Sequence, residues 1–233
     1  MPKFILTLVL ISYTASGAGV ALPPSVQRLI SKPSHIPTTL EEVTKTIVRL
    51  EGLQSQGTAE FIGANILLSA AHVCVTMPEI GKRREIKIDA PALMVLGEEV
   101  KVIAVDVDRD LCLLKTTKTM SKKWLSLAQD SERQVLEPAI SIGYAFGTFY
   151  ISQAGLVYAD VNPQFNLYTH NSSVGPVGPG MSGGPLISAK SGKMIGMVIG
   201  TINAPHPAVN GMGLFILASE IRKFLQEQNI QLP

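Results

Sequence analysis

From residue 47 to residue 217 the chain is a succession of short β-rich segments cut apart by turn residues, and this punctuation limits its possible folds most. The segments span 47–50, 58–62, 64–69, 85–88, 92–96, 99–106, 111–115, 139–143, 149–158, 165–169, 186–188, 193–202 and 212–217. Pro91, Gly97, Pro138, Asn162-Pro163 and Ser191-Gly192 separate them, residues that supply fixed or positive φ angles for reversals. Many short strands at such spacing predict an all-β sandwich or barrel. A helical period occurs convincingly only at the end. There Ser219 can cap a helix over 219–228 that carries Ile221, Phe224 and Leu225 on one face. No repeat of 20–50 residues is present.

The 233 residues are 46% hydrophobic and 16% charged, which suits a buried globular core and excludes a disordered chain. A net charge of +2 gives no footprint for nucleic acid. The longest basic run, Lys82-Arg83-Arg84, reads as a solvated turn. Residues 1–21 read as a secretory signal: Lys3, an apolar run from Phe4 to Ile11, then Ala15-Ser16-Gly17-Ala18. The run is too short to span a bilayer comfortably, although an uncleaved anchor is the alternative. Residues 22–45, with Pro23, Pro24, Pro33 and Pro37, read as an extended arm with a short helical turn at 26–30. Folded structure is expected over 46–233.

One stretch carries chemistry. In Gly178-Pro179-Gly180-Met181-Ser182-Gly183-Gly184-Pro185-Leu186 a serine sits among glycines that let the backbone turn sharply. Such a loop can expose a hydroxyl and aim its own N–H groups at one point, which acyl transfer requires. A flexible surface turn is the plain alternative. A serine needs a base. Of the four histidines, His35 lies in the Pro-rich arm, His206 in a Pro-flanked loop and His170 after a strand twelve residues before Ser182. His72 stands at a strand end behind the small residues Ser69-Ala70-Ala71, which permit tight packing around an imidazole. The base needs an orienting acid. Asp110 abuts the apolar run Leu111-Cys112-Leu113-Leu114, a costly place for an unpaired carboxylate. Asp106 and Asp108 read as turn or surface acids.

These three blocks resemble the signature blocks of the trypsin/chymotrypsin-like serine peptidases, in that family's order His, Asp, Ser. The chain is similar in particular to the HtrA-type branch, without its PDZ domain. Residues 57–62 resemble that branch's strand before the histidine, 139–147 its interbarrel segment, and 192–196 and 213–217 its last strands. The resemblance implies two six-stranded antiparallel barrels over about 46–118 and 135–217. It implies an exported serine endopeptidase, secreted or periplasmic, with Ser182 as nucleophile, His72 as base and Asp110 as its partner. The N–H groups of Gly180 and Ser182 form the implied oxyanion hole. Pro176, Val198, Thr201 and Gly213 line the implied pocket, whose uncharged walls favour an aliphatic residue before the scissile bond. No cofactor or metal is implied. The partner is a protein or peptide substrate, and no stable membrane span is expected in the mature form.

Two departures matter. Met181 stands where digestive members carry an acid that pairs with a freed N-terminus, so no such zymogen activation is expected. The loop 171–179 is long for the HtrA branch. A catalytically idle trypsin-fold binding protein and a viral polyprotein-processing protease are the rival readings. Cys74 and Cys112 read as two buried free thiols. Each, however, lies two residues beyond a proposed triad member, so contact between His72 and Asp110 would bring the sulfurs close.

Overall fold

The computed structural model describes residues 40–52, 56–75, 92–132, 138–158, 171–201 and 212–232. The first sheet comprises β1 (Ile47–Glu51), β2 (Gln56–Phe61), β3 (Ile66–Ala70), β4 (Leu93–Val95), β5 (Glu98–Asp106) and β6 (Leu111–Thr116). Its order is β1-β2-β3-β6-β5-β4, and β1 also pairs β4 through Leu50 and Val95, which closes a barrel. Closure leaves no open strand edge. The apolar content of these strands exceeds what one interior needs, because the outer face of β1, β2 and β3 is covered too. On β6, four consecutive residues, Leu111 to Leu114, are buried, whereas a half-exposed strand would bury alternate ones.

The second sheet comprises β7 (Pro138–Ala145), β8 (Thr148–Tyr158), β9 (Asn171–Pro176), β10 (Pro185–Ser188), β11 (Met194–Thr201) and β12 (Met212–Leu217). Its order is β10-β11-β12-β9-β8-β7, with β10 also pairing β7 through Leu186 and Ser141. The two units meet through β1, β2 and β3 against β7 and β11. Ile142, Ile187, Met194, Met197 and Ile216 of the second unit join the first unit's core. A smaller core, with Met181, Leu186, Ile195, Val198 and Phe215, lies within the second unit.

Among the described residues there are also three short or terminal α-helices, α1 (Leu40–Thr44), α2 (Ala71–Cys74) and α3 (Ala218–Glu227), and a 3-10 turn, Asp130–Glu132. Helix α3 buries Ile221, Phe224 and Leu225 as its periodicity predicts. It begins one residue early, however: Leu217 holds the N-cap position, so Ser219 is not the cap.

The structure corrects the sequence reading at three further points. The arm is not extended at its end, because α1 occupies residues 40–44. Residues 171–176 are not loop. They form β9, inserted between β8 and β12, where sheet pairing overrides the weak strand propensity of Asn-Ser-Ser-Val-Gly-Pro. Cys74 and Cys112 are not free thiols but a disulfide, with Cα atoms 6.5 Å apart. Ser69 and Cys112 are cross-strand partners, and Cys74 ends the helical turn that follows β3, so strand register brings the sulfurs together. The strands expected over 85–88 and 165–169 lie outside the described residues.

Candidate active site

His72 and Asp110 meet where β3 and β6 end together. Their strands pair Ala70 with Leu111, so the residues following β3 and preceding β6 are neighbours. Asp110 closes a turn in the left-handed region, at φ 57°, a conformation aspartate tolerates better than most side chains. That geometry directs both carboxylate oxygens at one residue. Oδ1 accepts the His72 backbone N–H at 2.9 Å and Oδ2 meets His72 Nδ1 at 2.7 Å. The Asp110 carbonyl also accepts the N–H of Ala71 at 3.1 Å. A carboxylate in its ionised form only accepts, so this pairing matches the imidazole tautomer with its proton on Nδ1, which leaves the Nε2 lone pair free. The Asp110 side chain is 13% exposed and that of His72 36%, so the acid is held inside and the base reaches solvent.

Asp106 is the turn residue expected of it: its Oδ1 accepts the N–H of Arg109 at 2.9 Å. Arg109 forks onto Glu227 of α3, with contacts of 2.8 and 2.7 Å, and lies 3.7 Å from Glu220. These anions hold the guanidinium further toward its charged form. The hydrogen bond with Glu227 is the largest influence, and partial desolvation opposes it.

The Ser182 loop comes to the same place from the second unit. Gly183 has φ 85°, and a Cβ there would collide with the Thr58 carbonyl and the Ser69 hydroxyl and lie 3.0 Å from the amide nitrogen of Ala70. Only glycine lets the residue after Ser182 press onto the strand that delivers His72. Ser182 is half-buried beside that contact. Among the described residues its hydroxyl makes no hydrogen bond, so the structure sets the serine loop against the His72 strand without closing a Ser182–His72 hydrogen bond.

Backbone hydrogen bonds orient the loop plane by plane. In a trans peptide the C=O and N–H point in opposite directions, so fixing one fixes the other. The Pro179 carbonyl accepts from Phe146 N at 2.8 Å, and the Met181 carbonyl accepts from Gly184 N at 2.9 Å. The N–H groups of Gly180 and Ser182 belong to those two planes and point the other way, and neither donates to an acceptor among the described residues. Gly180 has φ 94° and lies so close to the Tyr144 carbonyl that a Cβ could not fit. The Met181 side chain points inward and is fully buried in the second core, an apolar anchor for the loop.

The four residues expected to line a pocket lie on three strands of the second sheet. Thr201 and Gly213 are cross-strand partners on β11 and β12. Pro176 ends β9 opposite Met212. Val198 is wholly buried in the second core, and what it gives the loop is backbone: its carbonyl accepts from Gly183 N at 2.7 Å, and its N–H donates to the Gly184 carbonyl at 2.8 Å. His35, His170 and His206 lie outside the described residues.

The model of the trypsin-like peptidase domain matches residues 57–197, well over half of the chain. The chain belongs to the trypsin-like peptidases. It is on that ground a serine endopeptidase, and its mostly β fold is that of the family. Two solved structures are similar to this trypsin-like peptidase. One is Rv3671c from M. tuberculosis H37Rv, a serine-to-alanine mutant in an inactive form. It has a TM-score of 0.63 and 17% identity over 93% of this chain and 98% of that one. The other is the HtrA-type protease AlgW, a serine-to-alanine variant with a tripeptide. It has a TM-score of 0.62 and 18% identity over 81% of this chain and 61% of that one. At these identities the likeness is one of fold. No curated protein matches the sequence.

Sequence reasoning missed the part Thr58 plays at this peptidase's loop. It marked 57–62 only as a strand, whereas Thr58 bonds the loop across 122 residues of chain. No local pattern reports a partner that distant.

Proposed function

We propose that this chain is an exported, two-barrel serine endopeptidase that cleaves peptide bonds through Ser182, His72 and Asp110 by way of an acyl-enzyme. The observation that carries this reading is the paired contact of Asp110 with the ring and backbone of His72, with the Ser182 loop seated on the same strand end. His72 Nε2 takes the Ser182 proton as the hydroxyl attacks the substrate carbonyl, and then gives it to the leaving amine. Asp110 holds the tautomer and stabilises the imidazolium. The N–H groups of Gly180 and Ser182 receive the negative charge that develops on the carbonyl oxygen. Water then repeats the sequence on the acyl-enzyme.

The cleft favours an uncharged aliphatic residue before the scissile bond. Gly213 sits against Val177 and Phe215, whose atoms lie 2.6–2.9 Å from where its Cβ would be. Together with Thr201 these are walls without a charge partner. One methylene changes discrimination in such a pocket by only ~1–3 kcal/mol. Met181, buried where an ionic latch would stand, supports a loop formed without N-terminal processing. Export is supported by the Cys74–Cys112 disulfide, a bond that persists in oxidising compartments. No helix among the described residues is long and apolar enough to cross a membrane.

The test is labelling of the wild type by a fluorophosphonate, together with cleavage of a proteome-derived peptide library. Both are expected to vanish in Ser182→Ala, and cuts are expected after Val, Ala, Leu or Ile. A wild type that neither labels nor cleaves unfolded protein defeats the proposal.

A further inference from the structure

Thr58 lies in β2 of the first unit, fully buried, and touches the serine loop of the second unit at two points. Its hydroxyl donates to the Gly180 carbonyl at 2.8 Å and accepts the N–H of Tyr144 at 3.0 Å. Its backbone N–H donates to the Ser182 carbonyl at 2.8 Å. Its own carbonyl accepts the Ser69 hydroxyl at 2.7 Å, which ties it to β3, the strand that leads into His72.

Consider the four successive peptide planes from Pro179 to Gly183. Two carry the N–H groups of Gly180 and Ser182, and their carbonyls are held within the second unit by Phe146 and Gly184. The other two are the Gly180–Met181 and Ser182–Gly183 planes. Each has its N–H held within the second unit, by the carbonyls of Gly178 (3.1 Å) and Val198 (2.7 Å). Each has its carbonyl held by Thr58. A plane pinned at both ends cannot rotate without breaking a bond, and rotation of one plane turns its neighbours about the shared Cα. The Gly180–Met181 plane begins at a glycine, where no Cβ opposes rotation. There the Thr58 hydroxyl, together with the Met181 N–H bond to Gly178, resists a flip, and a rotation of this plane strains the adjoining one that bears the Gly180 N–H.

We infer that Thr58 is a positioning residue for the oxyanion hole: from the first unit it fixes the two peptide planes that alternate with the planes bearing the Gly180 and Ser182 N–H donors. This rests on the proposed role of Ser182. Thr58 touches neither substrate nor reacting atoms. Its effect belongs to the transition state, since the donors it aligns matter most when charge has built on the carbonyl oxygen. One residue thereby couples assembly of the two units to competence of the site.

The experiment compares Thr58→Val, which keeps the shape and loses the hydroxyl, with Thr58→Ser, which keeps the hydroxyl. Thr58→Val is expected to lose about 10- to 100-fold in kcat, with KM within about 3-fold of wild type, since removing one oxyanion donor outright costs ~100- to 1,000-fold. Thr58→Ser is expected to stay within about 5-fold of wild type. A peptide boronate, whose tetrahedral adduct places an oxygen among the donors, should bind Thr58→Val weaker by a factor matching the fall in kcat/KM. The cleaved peptide product should bind it as it binds wild type. Wild-type kcat in a folded Thr58→Val overturns the inference, as does an equal loss for boronate and product. Should valine not fold, Thr58→Ala and Thr58→Ser compared at equal folded fraction decide it: serine active and alanine impaired supports the role, and both alike overturns it. Absence of fluorophosphonate labelling at Ser182 in the wild type would instead sink the reading beneath it, and this inference with it.

Discussion

Glu60 is the residue whose chemistry fits its surroundings least. It is fully buried on β2, and neither carboxyl oxygen has a hydrogen-bond partner among the described residues. Its cross-strand partners are Ile47 and Leu68, so it shares their apolar face toward the second unit. Two residues along β2, Thr58 has Arg49 of β1 as its cross-strand partner and takes a hydrogen bond from Tyr144 N of β7. Neither Arg49 nor Tyr144 offsets the desolvation that pushes the Glu60 carboxyl well above its ordinary value of 4.5. The native state therefore keeps a proton that the unfolded chain releases once pH passes 4.5. Stability that this group contributes is complete below that value and is lost as pH rises toward the folded-state pKa. The slope is about 1.4 kcal/mol per pH unit while the native carboxyl stays protonated. Glu60→Gln, neutral at every pH, should match wild type near pH 4.5 and exceed it by a margin that grows as pH rises above that value. Urea unfolding at several pH values measures this, and a margin that does not change with pH would show that Glu60 is ionised in the fold.

Among the elements, the loop bearing Asp110 and helix α3 are joined by the Arg109–Glu227 fork, which spans 118 residues. Glu227 is exposed, and its hydrogen bond with Arg109 holds its carboxyl below the ordinary 4.5. The contribution of this pair is thus present above that value and lost as pH falls through the folded-state pKa. Glu227→Gln should melt slightly below wild type at pH 6–7, and the gap should close on acidification below 4.5. Equal melting temperatures throughout would mean that the fork adds nothing, as holds for many surface pairs. The same elements show what the sequence could tell. Strands with strong local signals, such as Leu111–Thr116 and Met212–Leu217, were readable because apolar β-formers and flanking turns coincide. Asn171–Pro176 was not, because its strand state comes from β8 and β12 on either side. The Gly-rich loop and His72 were readable as types. Contacts such as Thr58 to Gly180 were not, since only the closed fold brings them together.

At the scale of the molecule, the Cys74–Cys112 bridge constrains the part of the first unit from which His72 and Asp110 emerge. It joins residues 38 apart, and that interval is the same as the interval from His72 to Asp110. A crosslink of this span removes loop-closure entropy from the unfolded chain worth about 4 kcal/mol in the chain-entropy treatment. For a domain of this size that is a shift in Tm on the order of 10 °C. The bridge follows both residues by the same two steps, so its loss also frees α2 and the start of β6 to move apart. The His72–Asp110 contact opposes this with two hydrogen bonds, 2.9 and 2.7 Å long. Those bonds sit where β3 and β6 already pair from Ala70 to Leu111, so at 25 °C the strands alone keep the two residues together. The disulfide should accordingly govern stability more than turnover. Cys74→Ala/Cys112→Ala, or wild type in dithiothreitol, is expected to melt about 10 °C lower while keeping kcat within about 3-fold well below the new Tm. A fall in kcat with unchanged Tm would assign the bridge to the site and not to the fold.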